Sequence, residues 1–329
     1  MDDLALQNNV CDRLTTLAGG RASWLVRADH TPAALSALGI LSPGDRLVVF
    51  ADDFEEAFAD GVDGAEVRFV ASPDSCEFEF ASEGGARSVF WFVSSIGGRG
   101  LRVPDLRHLG ASARAAGALL LVDNTVASFY GCSPLALGAA VSLEALDRVG
   151  GGRLPQKMVC ATVARSVRKR HRVDAGAQHT FELLGRTDVS SVSRDALSVL
   201  DDALDDFPTR MQTHADHARA IAEYLAANEM VDGVSYPGLA SHPDHETAAG
   251  ALQHGFGPAV EFELPSSVEA RTFIAACPDA FRTSPAGGAQ ARVSAIDGPE
   301  GHTIRLFAGT QNVYADIDAI DSALRHLVR

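Results

Sequence analysis

The feature that most constrains the fold is an alternation of short apolar strands with helical segments in the first two thirds of the chain. The strands are continuous apolar runs. Strands that are apolar on both faces are typical of a mostly parallel sheet covered by helices on both sides. The last of these strands delivers Asp123 at its carboxyl end, the edge of an open α/β sheet at which ligands bind. Strands are predicted at 46–50, 67–70, 88–94 and 118–122, and helices at 35–41 and 105–116.

The pattern changes near residue 185, where long helical periods replace the alternation. We predict two helices, at 190–207 and 213–228, and then a mixture of strands and helices that indicates a smaller α+β domain. A chain of 329 residues is long enough for two domains. The predicted domains are residues 1–195, a large α/β domain, and residues 196–329, a long linking helix with the α+β domain. Within the second domain we predict strands at 259–264 and 303–308 and helices at 268–276 and 315–328.

Charge and composition exclude several classes of function. The net charge is −15, which disfavours binding to nucleic acid, and the one basic cluster, Arg165–Arg172, is interpreted as a solvated helix face. No apolar run approaches the roughly 20 residues that cross a bilayer, and the first residues lack a signal-peptide pattern. The five cysteines form no CxxC pair, as expected in a reducing compartment. We therefore predict a cytoplasmic protein without membrane or nucleic-acid partners.

The segment Leu121–Gly152, LVDNTVASFYGCSPLALGAAVSLEALDRVGGG, resembles the central motif of the cystathionine γ-synthase/γ-lyase family of pyridoxal-phosphate (PLP) enzymes of Cys/Met metabolism. The resemblance implies the aspartate-aminotransferase-like fold (PLP fold type I), assembled as a dimer or tetramer, and an N-terminal arm that this chain is expected to lack. Other segments match the family's pattern in the same order: Leu14–His30, Pro43-Gly44-Asp45, Arg210–Tyr224, SYPGLASHPDH at 235–245, and TIRLFAG at 303–309.

The resemblance also assigns roles to individual positions. Asp123 falls on the aspartate that pairs with the cofactor's pyridine nitrogen, and Phe54 on the tyrosine that stacks on its ring. Arg305 falls on the arginine that binds the substrate's α-carboxylate, while Ala145 and Asp147 replace a serine and a threonine. From the residues alone, two alternatives stay open: Asp123 as the cap of a turn, and Arg305 as half of a structural ion pair.

Arg148 falls on the lysine that forms the Schiff base with the cofactor. A guanidinium group stays protonated in proteins and cannot replace that amine. The family's phosphate-binding S-G-M falls on Ala28, Asp29 and His30, which places a carboxylate near an anion. On these grounds we predict that the chain has no cofactor, with PLP at most a weak ligand.

Three functional hypotheses follow. The first is a catalytically silent homologue of the transsulfuration enzymes, acting as a structural or regulatory subunit in a homo-oligomer or with an active paralogue. The second is a repurposed site that binds or acts on a small amino acid without a covalent cofactor. The third is residual lyase or synthase chemistry through Lys157. We predict no metal site, and interpret His242 and His245, and His214 and His217, as structural.

Overall fold

A computed structural model describes residues 2–50, 55–58, 62–165 and 192–327. Phe54, Lys169 and most of the basic cluster lie outside the described residues. No described helix is both long enough and apolar enough to span a membrane. The chain divides into two compact units, which do not follow the predicted boundary at residue 195; that boundary stays a prediction. The first unit comprises Met1–Gly98, Val103–Leu146 and Leu154–Asp201, and the second Arg99–Arg102, Asp147–Arg153 and Asp202–Arg329.

The first unit is built on a seven-stranded sheet in the order β1-β7-β6-β5-β4-β2-β3. The strands β3, β2, β4, β5 and β6 run parallel, and β7 is antiparallel to both β6 and β1. The predicted mostly parallel α/β fold is therefore confirmed. Its strands are β1 (Ala22–Arg27), β2 (Arg46–Phe50), β3 (Glu66–Phe69), β4 (Val89–Ser94), β5 (Leu119–Asp123), β6 (Val141–Ala145) and β7 (Met158–Val163).

The helices of this unit cover the apolar strands that the sequence predicted as buried. Alternate residues of neighbouring strands, such as Leu47, Phe90 and Leu121, join one apolar core. The helices are α1 (Asp3–Ala18), α2 (Thr31–Ala37), α3 (Glu55–Phe58), α4 (Ser75–Ser82), α5 (Leu106–Ala115), α6 (Ser128–Gly131) and α7 (Pro134–Leu137).

The second unit packs its helices on a four-stranded sheet in the order β10-β11-β9-β8, whose neighbouring strands are antiparallel. A second apolar core, which includes Phe262, Phe273 and Ile304, lies within this unit. Its elements are α8 (Arg194–Ala226, which begins in the first unit), β8 (Gly233–Ser235), α9 (His245–Ala251), β9 (Ala259–Glu263), α10 (Ala270–Ala276), α11 (Asp279–Thr283), β10 (Arg292–Ala295), β11 (Thr303–Phe307) and α12 (Val313–Leu327).

Three of the predicted helices are wrong in their limits. The helices predicted at 190–207 and 213–228 are one helix, α8, with Pro208 inside it. A proline removes one helical hydrogen bond, but Phe207 and Met211 are buried on either side and hold both flanking turns. The helix predicted at 35–41 is α2, which begins at Thr31 because the His30 ring accepts a hydrogen bond from a first-turn amide.

Candidate functional site

Asp123 ends strand β5, as predicted, with 4% of its surface exposed. Its Oδ1 accepts a hydrogen bond of 2.8 Å from the backbone N–H of Thr125, and its Oδ2 accepts one of 3.1 Å from the Thr31 hydroxyl. The first bond is the turn cap that the residues alone allowed. Both of these donors are neutral groups.

The turn after Asp123 is held by the ends of neighbouring strands. The Ser95 hydroxyl donates to Oδ1 of Asn124 over 2.8 Å, and the Asn124 amide donates to the Cys132 carbonyl. The hydroxyl of Thr125 accepts a hydrogen bond of 3.0 Å from the N–H of Ala145, at the end of β6. Ala145 therefore contributes a backbone donor to this turn, while its methyl group leaves no side-chain donor where the family has a serine.

The positions matched to the phosphate cradle offer few donors to an anion. Ala28 is buried, Asp29 is exposed, and His30 is half-buried. Nδ1 of His30 accepts a hydrogen bond of 3.1 Å from the N–H of Ala33, so this first-turn amide of α2 already has a partner. At this end of β1, the described residues therefore offer an anion a carboxylate, which would repel it, and a backbone amide that is already hydrogen-bonded to His30.

Arg148 lies in the second unit, in the turn that follows Asp147. Only 6% of its surface is exposed, and its guanidinium carbon lies 4.3 Å from the centre of the Phe307 ring. This is a cation–π contact, which stabilises a permanent cation. The backbone beneath it is fixed as well, because the Arg148 carbonyl accepts hydrogen bonds from the N–H of Gly151 and from Nη1 of Arg210, both over 3.0 Å.

Gly287 packs directly against this turn. A Cβ atom built on Gly287 would lie 2.4 Å from Cα of Arg148, and the φ angle of Gly287 is +75°. Only glycine satisfies both conditions. The Gly287-Gly288 segment therefore fixes where the Arg148 side chain begins.

His214 in the same unit is an uncharged histidine at neutral pH. Burial, together with the charges of Arg148 and Arg210, lowers the pKa of His214 to about 4, against the opposing effect of the Ala308 carbonyl. Nδ1 lies 2.7 Å from that carbonyl and therefore donates to it. Nδ1 of His217 makes the equivalent contact with the Gly309 carbonyl, at a distance of 2.9 Å, so both rings bind backbone.

Arg305 lies on β11 opposite Glu261 of β9, and the two form a buried ion pair. Both Nε and Nη2 of Arg305 lie 2.6 Å from Oε1 of Glu261. The other oxygen of Glu261 accepts a hydrogen bond of 2.6 Å from the N–H of Gly100. Arg305 therefore has the ion-pair partner that the structural alternative requires. The carboxylate that it contacts belongs to the same chain.

Other predicted positions are distributed over the two units. Lys157 is exposed and precedes β7 by one residue, rather than lying within that strand. His242 and His245 bind the carbonyls of Gly100 and Pro237 over 2.7 Å and 2.8 Å. Asp147 is half-buried, and its carbonyl accepts the N–H of Gly152. The predicted roles of all these residues stay predictions.

Sequence reasoning missed Glu261 and Phe307, the residues that hold Arg305 and Arg148. Glu261 stands between Val260 and Phe262 in a predicted strand, and a charge in that context usually marks the solvent face. Here the face is buried, and Glu261 is directly opposite Arg305 in the register of β9 and β11. The pairing of the two strands was the signal needed, and one sequence does not contain it.

Comparison with known proteins assigns the family. The profile described as Cys/Met metabolism PLP-dependent enzyme matches residues 5–297. The chain belongs to this family. It is 33% identical over 175 residues to cystathionine beta-lyase of Lactococcus lactis subsp. cremoris, which is 53% of this chain and 43% of that protein. It is also similar to O-acetyl-L-homoserine sulfhydrylase 1 of Thermus thermophilus, with 26% identity over 286 residues, 78% of this chain and 68% of that one.

A third relative is homocysteine/cysteine synthase of Saccharomyces cerevisiae, with 27% identity over 291 residues, 78% of this chain and 65% of that protein. The chain spans less than half the length of the lactococcal lyase in the region of similarity. The predicted family is confirmed by the profile match. The prediction that the chain has no cofactor is wrong by the same finding, because members of this family are PLP-dependent and PLP is the expected cofactor.

The described residues fit one end of that cofactor. Asp123 is a buried carboxylate at a strand end, which is the partner that a protonated pyridine nitrogen requires. Arg148 does not fit a covalent bond to the aldehyde, because a guanidinium is not a nucleophilic amine. The positions Ala28, Asp29 and His30 do not fit the phosphate in the way the family's serine and glycine do. The fit is therefore to non-covalent contact at the ring nitrogen alone.

Proposed function

We propose that the chain is a catalytically silent member of the Cys/Met metabolism PLP-dependent family, which serves as a structural or regulatory subunit. PLP, the cofactor expected from the family, would then be held without a covalent bond to residue 148. When bound, this cofactor supplies an electron sink for amino-acid substrates. Without a lysine at residue 148, the chain lacks the amine that would hold and release substrate and cofactor in turn.

The observation that carries the proposal is the setting of Arg148. Its guanidinium is buried, stacked on Phe307, and its backbone is held by Arg210 and Gly287. These contacts stabilise the charged guanidinium group and the backbone from which it extends. The Arg305–Glu261 pair supports the same conclusion, because the group matched to substrate binding is neutralised by a carboxylate of the chain itself.

The test is an absorbance scan of the pure protein with added PLP, before and after borohydride, with peptide mass spectrometry of both lysines. We expect no reducible adduct at a specific lysine. A single stoichiometric adduct on Lys157 would contradict the proposal and restore lyase or synthase chemistry through that residue. Lys169, the other lysine of the chain, serves as the internal reference for non-specific reaction.

The matched variant is Arg148→Lys, which returns a primary amine to the same backbone position. If the lysine alone is missing, this variant forms a reducible adduct at residue 148 that the natural chain does not form. If the natural chain and the variant both remain unreacted, a lysine at residue 148 is not sufficient for reaction with PLP. The positions matched to the phosphate then lack function as well, which supports a catalytically silent chain. Thermal melting of both proteins controls for the lost contact with Phe307.

The subunit role is tested by mixing the chain with an active family member from the same cell and separating the complexes by sedimentation. A mixed oligomer with altered lyase or synthase activity supports a regulatory subunit. A stable homo-oligomer that never exchanges with the active enzyme contradicts the mixed assembly and leaves a role for the chain on its own.

A further inference from the structure

An apolar groove lies on the outer strand of the seven-stranded sheet, within the first unit. It has a volume of about 710 Å³ and runs between β3 with the residues that follow it and helix α4. Phe69 and Phe80 line it and are 45% and 76% exposed, unusually high values for phenylalanine. Two aromatic rings left in water beside one another indicate a surface that another molecule covers.

Within the described part of the chain, β3 is an outer strand of the sheet, and one of its edges beside this groove has no neighbouring strand. The N–H groups of Glu66 and Val70 bind the carbonyls of Asp45 and Val49, both over 2.9 Å, on the side of β2. Because successive residues of a strand point their backbone groups in opposite directions, those of Val67 and Phe69 face away from β2. No strand among the described residues pairs with that side.

The charges that usually protect such an edge are bound to the chain's own surface. Glu66 and Arg68 form an ion pair of 2.7 Å, and Nη1 of Arg68 donates to the Ala81 carbonyl of α4 over 2.8 Å. Exposed charged side chains on an edge strand normally discourage pairing with another chain. Here Arg68 is directed toward α4, so β3 remains accessible to an added strand.

Charge decides which occupant suits the groove. Glu77 of α4 lines the groove, as does Arg68, which is paired with Glu66. The same short helix exposes Glu79 and its cap residue Glu83, and the whole chain carries a net charge of −15. A second copy seated here would bring two acidic helices together, which is unfavourable. A segment that carries arginine or lysine would be attracted by the same charges.

We propose that this groove binds an extended segment of a partner protein, apolar on one face and basic on the other, that adds a strand to the edge of β3. Main-chain hydrogen bonds to Val67 and Phe69 would give the segment its register, and one apolar side chain would lie against Phe69 and Phe80. The surface is independent of the proposal for Arg148, because all of its residues belong to the first unit and none of them is matched to the cofactor site.

The experiment measures fluorescence anisotropy of a dye-labelled decapeptide that alternates valine or phenylalanine with arginine. Two control peptides carry glutamate for arginine, or N-methyl groups on alternate backbone nitrogens. We expect saturable binding of the first peptide only, because strand addition needs its N–H groups and the acidic wall needs its charge. Binding of the N-methylated peptide at equal strength would overturn the proposal and indicate general attraction to an acidic protein.

The matched variants are Phe80→Ser in the groove and Tyr314→Ser outside it. The two side chains are 76% and 75% exposed, so neither substitution removes core packing. Phe80→Ser should weaken peptide binding at least about tenfold, the loss expected when one aromatic contact is removed, and Tyr314→Ser should leave it unchanged. Equal effects of the two variants would contradict the groove.

A thiol readout separates the peptide from a second copy. Cys76 lies in the groove and is exposed, whereas Cys132, Cys160 and Cys277 are buried. The peptide should slow labelling of Cys76 by a maleimide. Concentration-dependent dimerisation that protects Cys76 without peptide, and that Phe80→Ser abolishes, would overturn the proposal in favour of a second copy.

Discussion

Asp123 in the first unit and Arg305 in the second are both buried charges at positions matched to ligand contacts, but their surroundings differ. Asp123 accepts hydrogen bonds from a hydroxyl and an amide, which are neutral. Arg305 is held by the carboxylate of Glu261, whose second oxygen is bound by the N–H of Gly100. An ion pair cancels most of the field that a ligand of opposite charge would sense, whereas a hydrogen bond from a neutral donor does not cancel it. A residue's match to a family position therefore does not establish its present use. Its contacts in the structure are the evidence for that use.

The largest expected effect comes from breaking the ion pair. Glu261→Gln removes the carboxylate that the buried guanidinium of Arg305 contacts, and we expect a loss of about 3–5 kcal/mol in the free energy of unfolding. Urea denaturation measures it. The control is Glu263→Gln, two residues along β9 and exposed, which should change stability by less than about 0.5 kcal/mol. If Glu261→Gln loses as little stability as the control variant, the ion pair is weak and Arg305 is available to a ligand.

A third buried acid extends the comparison, because one of its carboxyl oxygens has no hydrogen-bond partner among the described residues. Asp316, near the start of α12, is 5% exposed, and its Oδ2 has no hydrogen-bond partner among the described residues. Burial raises the pKa of Asp316 to about 6, although the nearby His217 acts to lower it. This carboxyl lacks both the cation of Glu261 and the donors of Asp123.

The pH dependence of stability tests this ordering. Because the folded-state pKa of Asp316 lies above its unfolded value of 3.8, its stabilising contribution is complete below about pH 4 and is lost as the pH rises through 6. The two-unit difference corresponds to at most about 3 kcal/mol. Asp316→Asn should therefore gain stability over the natural chain between pH 4 and pH 8. Asp318→Asn, exposed on the same helix, is the control; a parallel profile for both variants would contradict the assignment.

The smallest expected effect is that of Asp123→Asn. The amide can still accept one hydrogen bond, so we expect a loss of about 1–2 kcal/mol in the free energy of unfolding. Asp29→Asn, at an exposed position, should be neutral. If Asp123→Asn costs more than Glu261→Gln, the comparison fails and Asp123 is the structural charge of the two. Thermal or urea unfolding at one pH decides the order.

The sequence predicts the architecture well because strand identity depends on local apolar runs. Strand β2 was predicted without error in its limits, and Asp123 was placed at the end of β5. The prediction is wrong around Pro208, which lies between the two predicted helices, because buried neighbours keep the helix continuous there. Local propensity is a weak guide wherever tertiary packing overrides it.

The sequence predicts which residues belong to the candidate site, but not the residues that these side chains contact. Arg148 and Arg305 were identified by their matched positions, whereas Phe307 and Glu261 were found only when strands and turns were brought together. A contact between residues more than forty positions apart leaves no periodic trace in one sequence. The prediction of no cofactor is wrong for another reason: it rests on individual positions, whereas the match to a PLP-dependent family extends over most of the chain.

Gly287 has a consequence for how residue 148 can be changed. It touches residue 148 at the Cα atom, and so constrains the starting point of the side chain more than its chemical end. The backbone would therefore hold a lysine or an arginine at this position with the same origin. An exchange between the two would alter the chemistry of the side chain without moving the place from which it extends.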